Sequence, residues 1–176
     1  SIVHIEGYLA FNEPVFRAVL ELAKAAGAKI SLDLASFEVV QIKEVLLREI
    51  IPDYIDILIA NEDEAESYCG SDLSDEKILQ ILSQDVETAV LKLGSEGSYI
   101  SSHGQKYRIE ARSVNAVDTT GAGDLWASGY LYGINKGWDQ AKSAELGSIV
   151  AAEVVQVVGA SIPDAAWGRI SKEMKE

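Results

Sequence analysis

Three short apolar segments, each followed by a helical pattern, dominate the first part of this chain. The segments that read as strands are residues 2–9, 28–34 and 55–60. Asn12 and Pro14 are typical of the start of the first helix, and a second helix is predicted from about 38 to 50, with Pro52 closing it. Strands that alternate with helices predict a parallel sheet joined by right-handed helical crossovers. The pattern therefore favours a layered α/β domain.

The rest of the chain changes character after one more buried strand. Residues 88–93 read as that strand, and the turn at 94–97 leads into partner strands at 98–101 and about 107–112, which predicts an antiparallel edge. Helical patterns follow at 121–133, 139–158 and 163–174. Because no repeat or low-complexity linker interrupts the chain, residues 1–176 are predicted to form a single domain.

The acidic composition narrows the classes of partner. The 176 residues carry a formal net charge of −13, which argues against nucleic acid and anionic membranes because both attract basic surfaces. A phosphate ligand would have to be held by backbone amides, a few local cations and a metal. The single cysteine, Cys69, excludes an intrachain disulfide, and the chain has neither a membrane-length apolar run nor a leader pattern. A cytoplasmic protein is therefore expected.

Polar side chains follow each of the predicted parallel strands. They are Asn12 and Glu13 after the first strand, Asp33 after the second, and Asn61 and Glu64 after the third. Because ligands gather beyond the carboxyl ends of parallel strands, these side chains are expected to share one rim. Asn61 and Glu64 stand three residues apart, so a helix places both on one face. A helix N-cap followed by a solvated acid would look the same, and the residues alone leave both interpretations open.

The segment Asp118-Thr119-Thr120-Gly121-Ala122-Gly123-Asp124 packs two acids, two hydroxyls and two glycines into seven positions before an apolar helical run. Glycines let the backbone approach a charged ligand, and the free amides of a first helical turn point at it. An acid inside such an anion site makes most sense as a base that takes a proton from a hydroxyl attacking phosphate, which is the hypothesis for Asp124. The alternative is that Asp118 or Thr119 caps the helix and Asp124 is a first-turn acid favoured by the dipole. Local chemistry does not decide between them.

Three ordered motifs carry a resemblance to a known family. They are Asn-x-x-Glu at 61–64, Leu-Gly-Ser-Glu-Gly at 93–97 and Asp-Thr-x-Gly-Ala-Gly-Asp at 118–124. With them the chain resembles the ribokinase-like carbohydrate kinases, also called the pfkB family. The resemblance implies a three-layer, Rossmann-like ribokinase fold, in which a mainly parallel sheet with an antiparallel edge is flanked by helices. It corresponds to a little over the second half of a typical member, so residues 1–176 are expected to be the nucleotide-binding portion, without the N-terminal part and its lid.

The resemblance also implies an activity. Members transfer a phosphoryl group from ATP, with Mg²⁺, to a hydroxyl group of a small sugar, which makes this the leading hypothesis. A nucleoside kinase of the adenosine type is the close alternative, and a non-catalytic nucleotide-binding fragment is the second. The expected partner is a small sugar or nucleoside, and the full-length protein is a candidate homodimer because family dimers often form through the lid.

The resemblance assigns roles to matching positions. Asp124 would be the base, and the amides of Gly121, Ala122 and Gly123 would form an anion hole for the transferring phosphoryl group. The residues expected to bind the nucleotide and its phosphates are Asn61, Glu64, Lys92, Gly94, Gly97 and Thr119.

Two metal sites are implied in the same way. Glu64 would reach Mg²⁺ through water, because this ion gives up its water shell reluctantly. The residues that would hold a monovalent cation such as K⁺ are Asp118, Thr120 and Ser161. Without the resemblance, Lys92 reads as a lysine stem on a sheet face, and Gly94 and Gly97 read as a plain hairpin turn.

Overall fold

The computed structural model describes residues 1–174, and within that range the chain forms six β-strands, seven α-helices and two short 3-10 helices. The strands are β1 (Ile2–Glu6), β2 (Lys29–Asp33), β3 (Ile57–Asn61), β4 (Thr88–Lys92), β5 (Ser98–Ser102) and β6 (Gln105–Ile109). The α-helices are α1 (Glu13–Ala25), α2 (Phe37–Tyr54), α3 (Glu62–Cys69), α4 (Asp75–Leu82), α5 (Ala122–Asn135), α6 (Gln140–Val154) and α7 (Asp164–Glu173). The 3-10 helices are Gly7–Phe11 and Gly94–Glu96.

The strands form one sheet in the order β1-β2-β3-β4-β5-β6. β1 to β4 run parallel, with Asp33 of β2 opposite Ile59 of β3 and Asn61 of β3 opposite Lys92 of β4. β4, β5 and β6 pair antiparallel and close the sheet on that side. Parallel neighbours need helical crossovers, which α1, α2 and the α3–α4 pair supply. The predicted fold class, a mainly parallel sheet flanked by helices with an antiparallel edge, is confirmed.

Several element boundaries differ from the predictions. The prediction that Pro52 closes α2 is wrong, because the helix continues to Tyr54 and the amide of Ile55 still donates to the carbonyl of Ile51. A proline this close to the end of a helix removes only one ladder hydrogen bond. The irregular residue of α2 is instead Lys43, with φ −111° and ψ 17°.

The end of α6 also differs, since the helix stops at Val154 rather than near residue 158. The carbonyl of Val155 does not continue the helical ladder but accepts hydrogen bonds from the amides of Val117 and Asp118, at 2.7 and 3.2 Å. A contact between distant parts of the chain therefore ends a helix that its own residues favour. It also fixes the loop that precedes α5.

By internal packing the chain divides into two compact units, of which the first comprises Ser1–Leu93 and Tyr99–Lys106. Its core joins strand interiors to the inner faces of α1 to α4. Large buried members are Phe16, Leu20, Ile30, Leu32, Leu47, Ile50, Leu58 and Leu79. Each such side chain contributes roughly 1.5–3 kcal/mol by leaving water. This core holds the carboxyl ends of β2, β3 and β4 in place.

The second unit comprises Gly94–Ser98 and the chain from Tyr107 onward. Here α5 and α6 approach each other backbone to backbone. A Cβ atom added to Gly129 would lie 2.9 Å from the Cα of Gly147, and one added to Gly147 would lie 2.8 Å from the carbonyl oxygen of Trp126. The buried apolar residues that complete this unit are Leu146, Ile149, Val150, Val154, Ile162, Ala166 and Ile170. The small residues of α5 and α6 are thus required by helix packing.

None of the helices within residues 1–174 has both the length and the apolar character needed to cross a membrane.

Candidate functional site

In the first unit, Asn61 and Glu64 form a reciprocal capping box where β3 passes into α3. The side-chain Oδ1 of Asn61 accepts from the amide of Glu64 at 2.9 Å, and Oε2 of Glu64 accepts from the amide of Asn61 at 2.8 Å. In addition, Nδ2 of Asn61 donates to Oε1 of Glu64 at 2.7 Å. The capping interpretation is therefore correct for Asn61. Glu64, however, is only 3% exposed, so it is not a solvated acid.

A buried ion pair lies at the same end of the sheet. Nζ of Lys92, on β4, is 2.6 Å from Oδ2 of Asp33, on β2, and the side chains are 14% and 5% exposed. The other oxygen of Asp33 accepts from the amide of Ala35 at 3.1 Å. The structure thus brings Lys92 together with Asp33, an acid that the sequence placed at the rim. Lys92 is not simply a stem on a sheet face, because its ammonium group is paired.

Glu64 is the titratable group most affected by these surroundings. Burial above all, and then the negative charge of Asp33, raise the pKa of Glu64 to about 7, although the hydrogen bond from the Asn61 amide and the charge of Lys92 oppose the rise. Desolvation penalises the ionised carboxylate, and a neighbouring carboxylate adds repulsion. Glu64 therefore exchanges its proton close to neutral pH.

The donor set of this rim limits how it could hold a divalent ion. No group of three or more His, Cys, Asp or Glu side chains within residues 1–174 is arranged to hold a metal. Both carboxylate oxygens of Glu64 already accept a hydrogen bond from Asn61, which leaves each oxygen one further lone pair. Glu64 therefore fits a contact to Mg²⁺ through water rather than a place in a complete ligand cage.

In the second unit, Asp118 organises the loop before α5. Its Oδ1 accepts from the amide and the hydroxyl of Thr120, at 2.9 and 2.7 Å, and its Oδ2 accepts from the amide of Gly159 at 2.8 Å. These hydrogen bonds, first that of the Thr120 hydroxyl, lower the pKa of Asp118 to about 2. Ser161 is exposed and makes no hydrogen bond to Asp118 within the described part of the chain. The structure thus joins Asp118 and Thr120 to Gly159, with Ser161 two residues further on.

The start of α5 has the backbone of an anion site. Gly121 is the N-cap in the left-handed region, with φ 76°, and no side chain caps the helix, so the proposal that Asp118 or Thr119 is the cap is wrong. A Cβ atom added to Gly121 would lie 2.5 Å from the Cβ of Ala160. The amides of the first turn that follow have no carbonyl partner inside the helix. The amide of Ala122 donates to the carbonyl of Thr119 just before the helix, and the glycine N-cap leaves the other first-turn amides available to a ligand.

Asp124 lies in the first turn of α5, where it is exposed. Its backbone carbonyl accepts from the hydroxyl of Ser128 at 2.8 Å, and its carboxylate has no partner among residues 1–174. Thr119 is also exposed, and its carbonyl accepts from the amide of Ala122 at 3.1 Å. The carboxylate of Asp124 thus stands free beside the uncapped amides.

The turn at Gly94–Gly97 belongs to the second unit. Gly94 is exposed and starts a 3-10 turn, and its carbonyl accepts from the amide of Gly97 at 3.3 Å. Gly97 is buried with φ 96°, and a Cβ atom there would lie 1.9 Å from the carbonyl oxygen of Ile109. Packing alone therefore requires the glycine at 97. Of the two, only Gly94 offers open backbone.

The second unit also contains a cleft of about 350 Å³ that the sequence did not indicate. Its lining includes Arg112, Trp138, Lys142, Glu145, Ile149 and Glu173. Nζ of Lys142 lies 4.7 Å from the centre of the Trp138 ring, and Arg112 pairs with Glu173 at 3.1 Å. None of the residues predicted from the motifs lines this cleft.

Comparison with known proteins agrees with the motifs. The profile of the pfkB family carbohydrate kinases matches residues 1–167. The chain is 33% identical to a ribokinase from Staphylococcus aureus over 158 residues, which cover 85% of this chain and 50% of that protein. It is 36% identical to an ATP-dependent 6-phosphofructokinase from Thermoanaerobacterium thermosaccharolyticum over 112 residues, which cover 62% of this chain and 35% of that protein.

A solved structure extends the similarity to the fold. The crystal structure of adenosine kinase from Sinorhizobium meliloti matches with a TM-score of 0.90 at 26% identity, over 98% of this chain and 54% of that chain. The chain thus spans about half the length of that kinase and of the ribokinase, and less of the phosphofructokinase. The sequence match and the fold match both extend over nearly all of its own length. The chain belongs to the pfkB family of carbohydrate kinases.

Proposed function

We propose that this chain is the nucleotide-binding portion of an ATP-dependent kinase that phosphorylates a hydroxyl group of a small sugar. The observation that carries the proposal is the start of α5, where Gly121 leaves the first turn uncapped and the carboxylate of Asp124 stands free and exposed. Family membership supports the reaction class, and the names of two relatives, ribokinase and ATP-dependent 6-phosphofructokinase, support ATP as donor and a sugar as acceptor.

In this proposal Asp124 acts as the base. Its carboxylate takes the proton of the acceptor hydroxyl, whose oxygen forms a bond to the γ-phosphorus of ATP. The bond from that phosphorus to the β–γ bridging oxygen breaks, and ADP leaves with the electron pair. Amides of Gly121, Ala122 and Gly123 donate to the charge that develops on the transferring group, a stabilisation of the kind found in oxyanion holes.

The remaining motif residues receive binding roles. We assign nucleotide and phosphate contacts to Asn61, Glu64, Lys92, Gly94, Gly97 and Thr119, of which Gly94 and Thr119 are exposed. Glu64 would orient a water of Mg²⁺, an ion that neutralises phosphate charge when bound. Asp118 and Thr120 are joined by hydrogen bonds and supply the hard oxygen ligands that suit K⁺, with Ser161 as the third candidate.

Two other functions are alternatives to this proposal. The match to adenosine kinase from Sinorhizobium meliloti favours a nucleoside as the acceptor, which would leave the role of Asp124 unchanged. The second alternative is a nucleotide-binding module without its own turnover. Acceptor screening separates the first from a sugar kinase, and a transfer assay separates the second.

The decisive experiment compares two substitutions in the product of the complete reading frame. Asp124→Asn should lower kcat by roughly 100-fold to 10,000-fold, the range that a positioned base supplies, with little change in the KM for ATP. Asp164→Asn is the matched control, because Asp164 is also an exposed acid in the first turn of a helix. Equal turnover in both variants would refute the assignment of Asp124 as the base.

A further inference from the structure

Two ion pairs connect β2 to the chain at β4 across the strand between them, one at each end of the sheet. At the carboxyl ends, Asp33 pairs with Lys92 at 2.6 Å. At the amino ends, Lys29 of β2 pairs with Glu87, the residue before β4. We call these the rim pair and the amino-end pair, respectively. Only the rim pair lies where the Asn61–Glu64 capping box lies.

The register places the rim pair on the same face as Asn61. Asp33 stands opposite Ile59, and Lys92 stands opposite Asn61, while Ile59 and Asn61 are two residues apart on β3. Side chains at paired positions and at positions two apart project from the same face of a sheet. The ion pair therefore passes over the end of β3 on the face from which the side chain of Asn61 projects.

The burial of the rim pair makes it a strong constraint. Both side chains are largely removed from water, and a buried charge that loses its partner is strongly destabilising. Asp33 has a second fixed contact, to the amide of Ala35, so its carboxylate cannot turn freely. Lys92 must then bring the end of β4 towards β2, and β3 is held between them. Both charges also act on the buried carboxylate of Glu64.

We propose that Asp33 and Lys92 are positioning residues, whose ion pair holds Asn61 and Glu64 in the geometry with which this rim receives the Mg²⁺-bound phosphates of a nucleotide. The inference rests on the proposed function and adds to it a role for Asp33, which no motif assigns. It also gives Lys92 a partner within the protein, so that Lys92 positions Asn61 and Glu64 in addition to the phosphate contact proposed for it above. The pair touches no reacting atom.

The first test needs no ligand. Asp33→Asn combined with Lys92→Met removes both charges at nearly constant size, which avoids leaving one buried charge alone. Amide hydrogen exchange at Asn61 and Glu64 should then become about tenfold faster. This is the effect expected if each amide loses about the free energy that one hydrogen bond of the capping box contributes. The matched control is Lys29→Met with Glu87→Gln, which removes the amino-end pair together with the contact of Glu87 to His103 and should leave those two amides unchanged.

The second test measures nucleotide binding and its dependence on Mg²⁺. Calorimetric titration of the chain with a non-hydrolysable ATP analogue, with and without Mg²⁺, gives the factor by which Mg²⁺ strengthens binding. That factor should fall by about 10- to 100-fold in the rim-pair variant, the range seen when residues that orient the ligands of a metal are replaced. It should remain unchanged in the variant that lacks the amino-end pair. Lys92→Arg, which keeps the charge, should restore at least part of it.

The outcomes distinguish a failure of this inference from a failure of the proposed function. Binding by the unaltered chain together with an undiminished Mg²⁺ factor in the rim-pair variant overturns the inference and leaves the proposed function standing. Unchanged exchange at Asn61 and Glu64 overturns it as well, whatever the titration shows. If the unaltered chain binds no nucleotide at all, the proposed function fails, and the positioning role for a ligand fails with it.

Discussion

Glu64→Gln tests whether the rim carries a carboxylate that is costly to ionise. The folded chain raises the pKa of Glu64 from its usual 4.5 to about 7, with burial as the main cause and Asp33 as the next. Each unit of pKa difference corresponds to about 1.4 kcal/mol, so the ionised form destabilises the folded chain by about 3 kcal/mol. Glutamine cannot ionise and therefore lacks this contribution.

The direction in which stability changes with pH follows from proton linkage. Below pH 4.5 Glu64 is protonated in both the folded and the unfolded chain and contributes no pH dependence. Between 4.5 and about 7 the unfolded chain loses the proton and the folded chain keeps it, so stability falls as the pH rises, and above 7 the full penalty is present. The variant avoids that penalty but loses about 1 kcal/mol because its amide nitrogen cannot accept from Nδ2 of Asn61.

The assay is urea unfolding followed by far-ultraviolet circular dichroism at pH 5 and pH 8. Relative to the unaltered chain, Glu64→Gln should gain about 2–3 kcal/mol between these pH values, because the general effects of pH cancel in the comparison. Asp63→Asn is the control, since Asp63 is an exposed acid in the same helical turn. Parallel pH profiles for the unaltered chain and Glu64→Gln would refute the account of Glu64.

Two further predictions concern the second unit. Gly129→Ala should destabilise the chain by about 1–3 kcal/mol, because its Cβ would press on the backbone of Gly147, whereas Gly168→Ala, with open space around it, should be stabilising by about 0.5–1 kcal/mol in thermal unfolding. Asp118→Asn should weaken the loop because it removes a charged acceptor from the amide of Gly159. The depressed pKa of Asp118 means that its contribution is present above about pH 4 and is lost as the pH falls towards 2, so the stabilities of the variant and the unaltered chain should converge on acidification.

Local patterns were sufficient for most of the architecture. The apolar runs around Ile30, Leu58 and Val90 lie in buried strands as predicted, because a strand covered on both faces needs apolar residues throughout. Asn12 caps α1, accepting from the amide of Val15, because its side chain can satisfy a first-turn amide. The expectation of a single domain stays a prediction.

Features that depend on contacts between distant residues could not be predicted from the sequence. The end of α6 is set by Val155, whose carbonyl serves the loop before α5 rather than the helix. The partner of Lys92 lies 59 positions earlier in the chain, and no local pattern indicates that pairing. Glycine at 97 fits a nucleotide motif, yet the backbone of Ile109 already requires it. Motif and packing can thus select the same residue for different reasons.

The central claim is that α5 begins with the phosphate site, and one titration tests it directly. ATP with Mg²⁺ is added to the isotopically labelled chain, and backbone amide resonances are followed by NMR. The account predicts that the largest changes fall on Gly121, Ala122 and Gly123, whose amides would donate to phosphate. Unchanged resonances there, with the changes confined to residues such as Trp138 and Lys142 of the cleft, would contradict it.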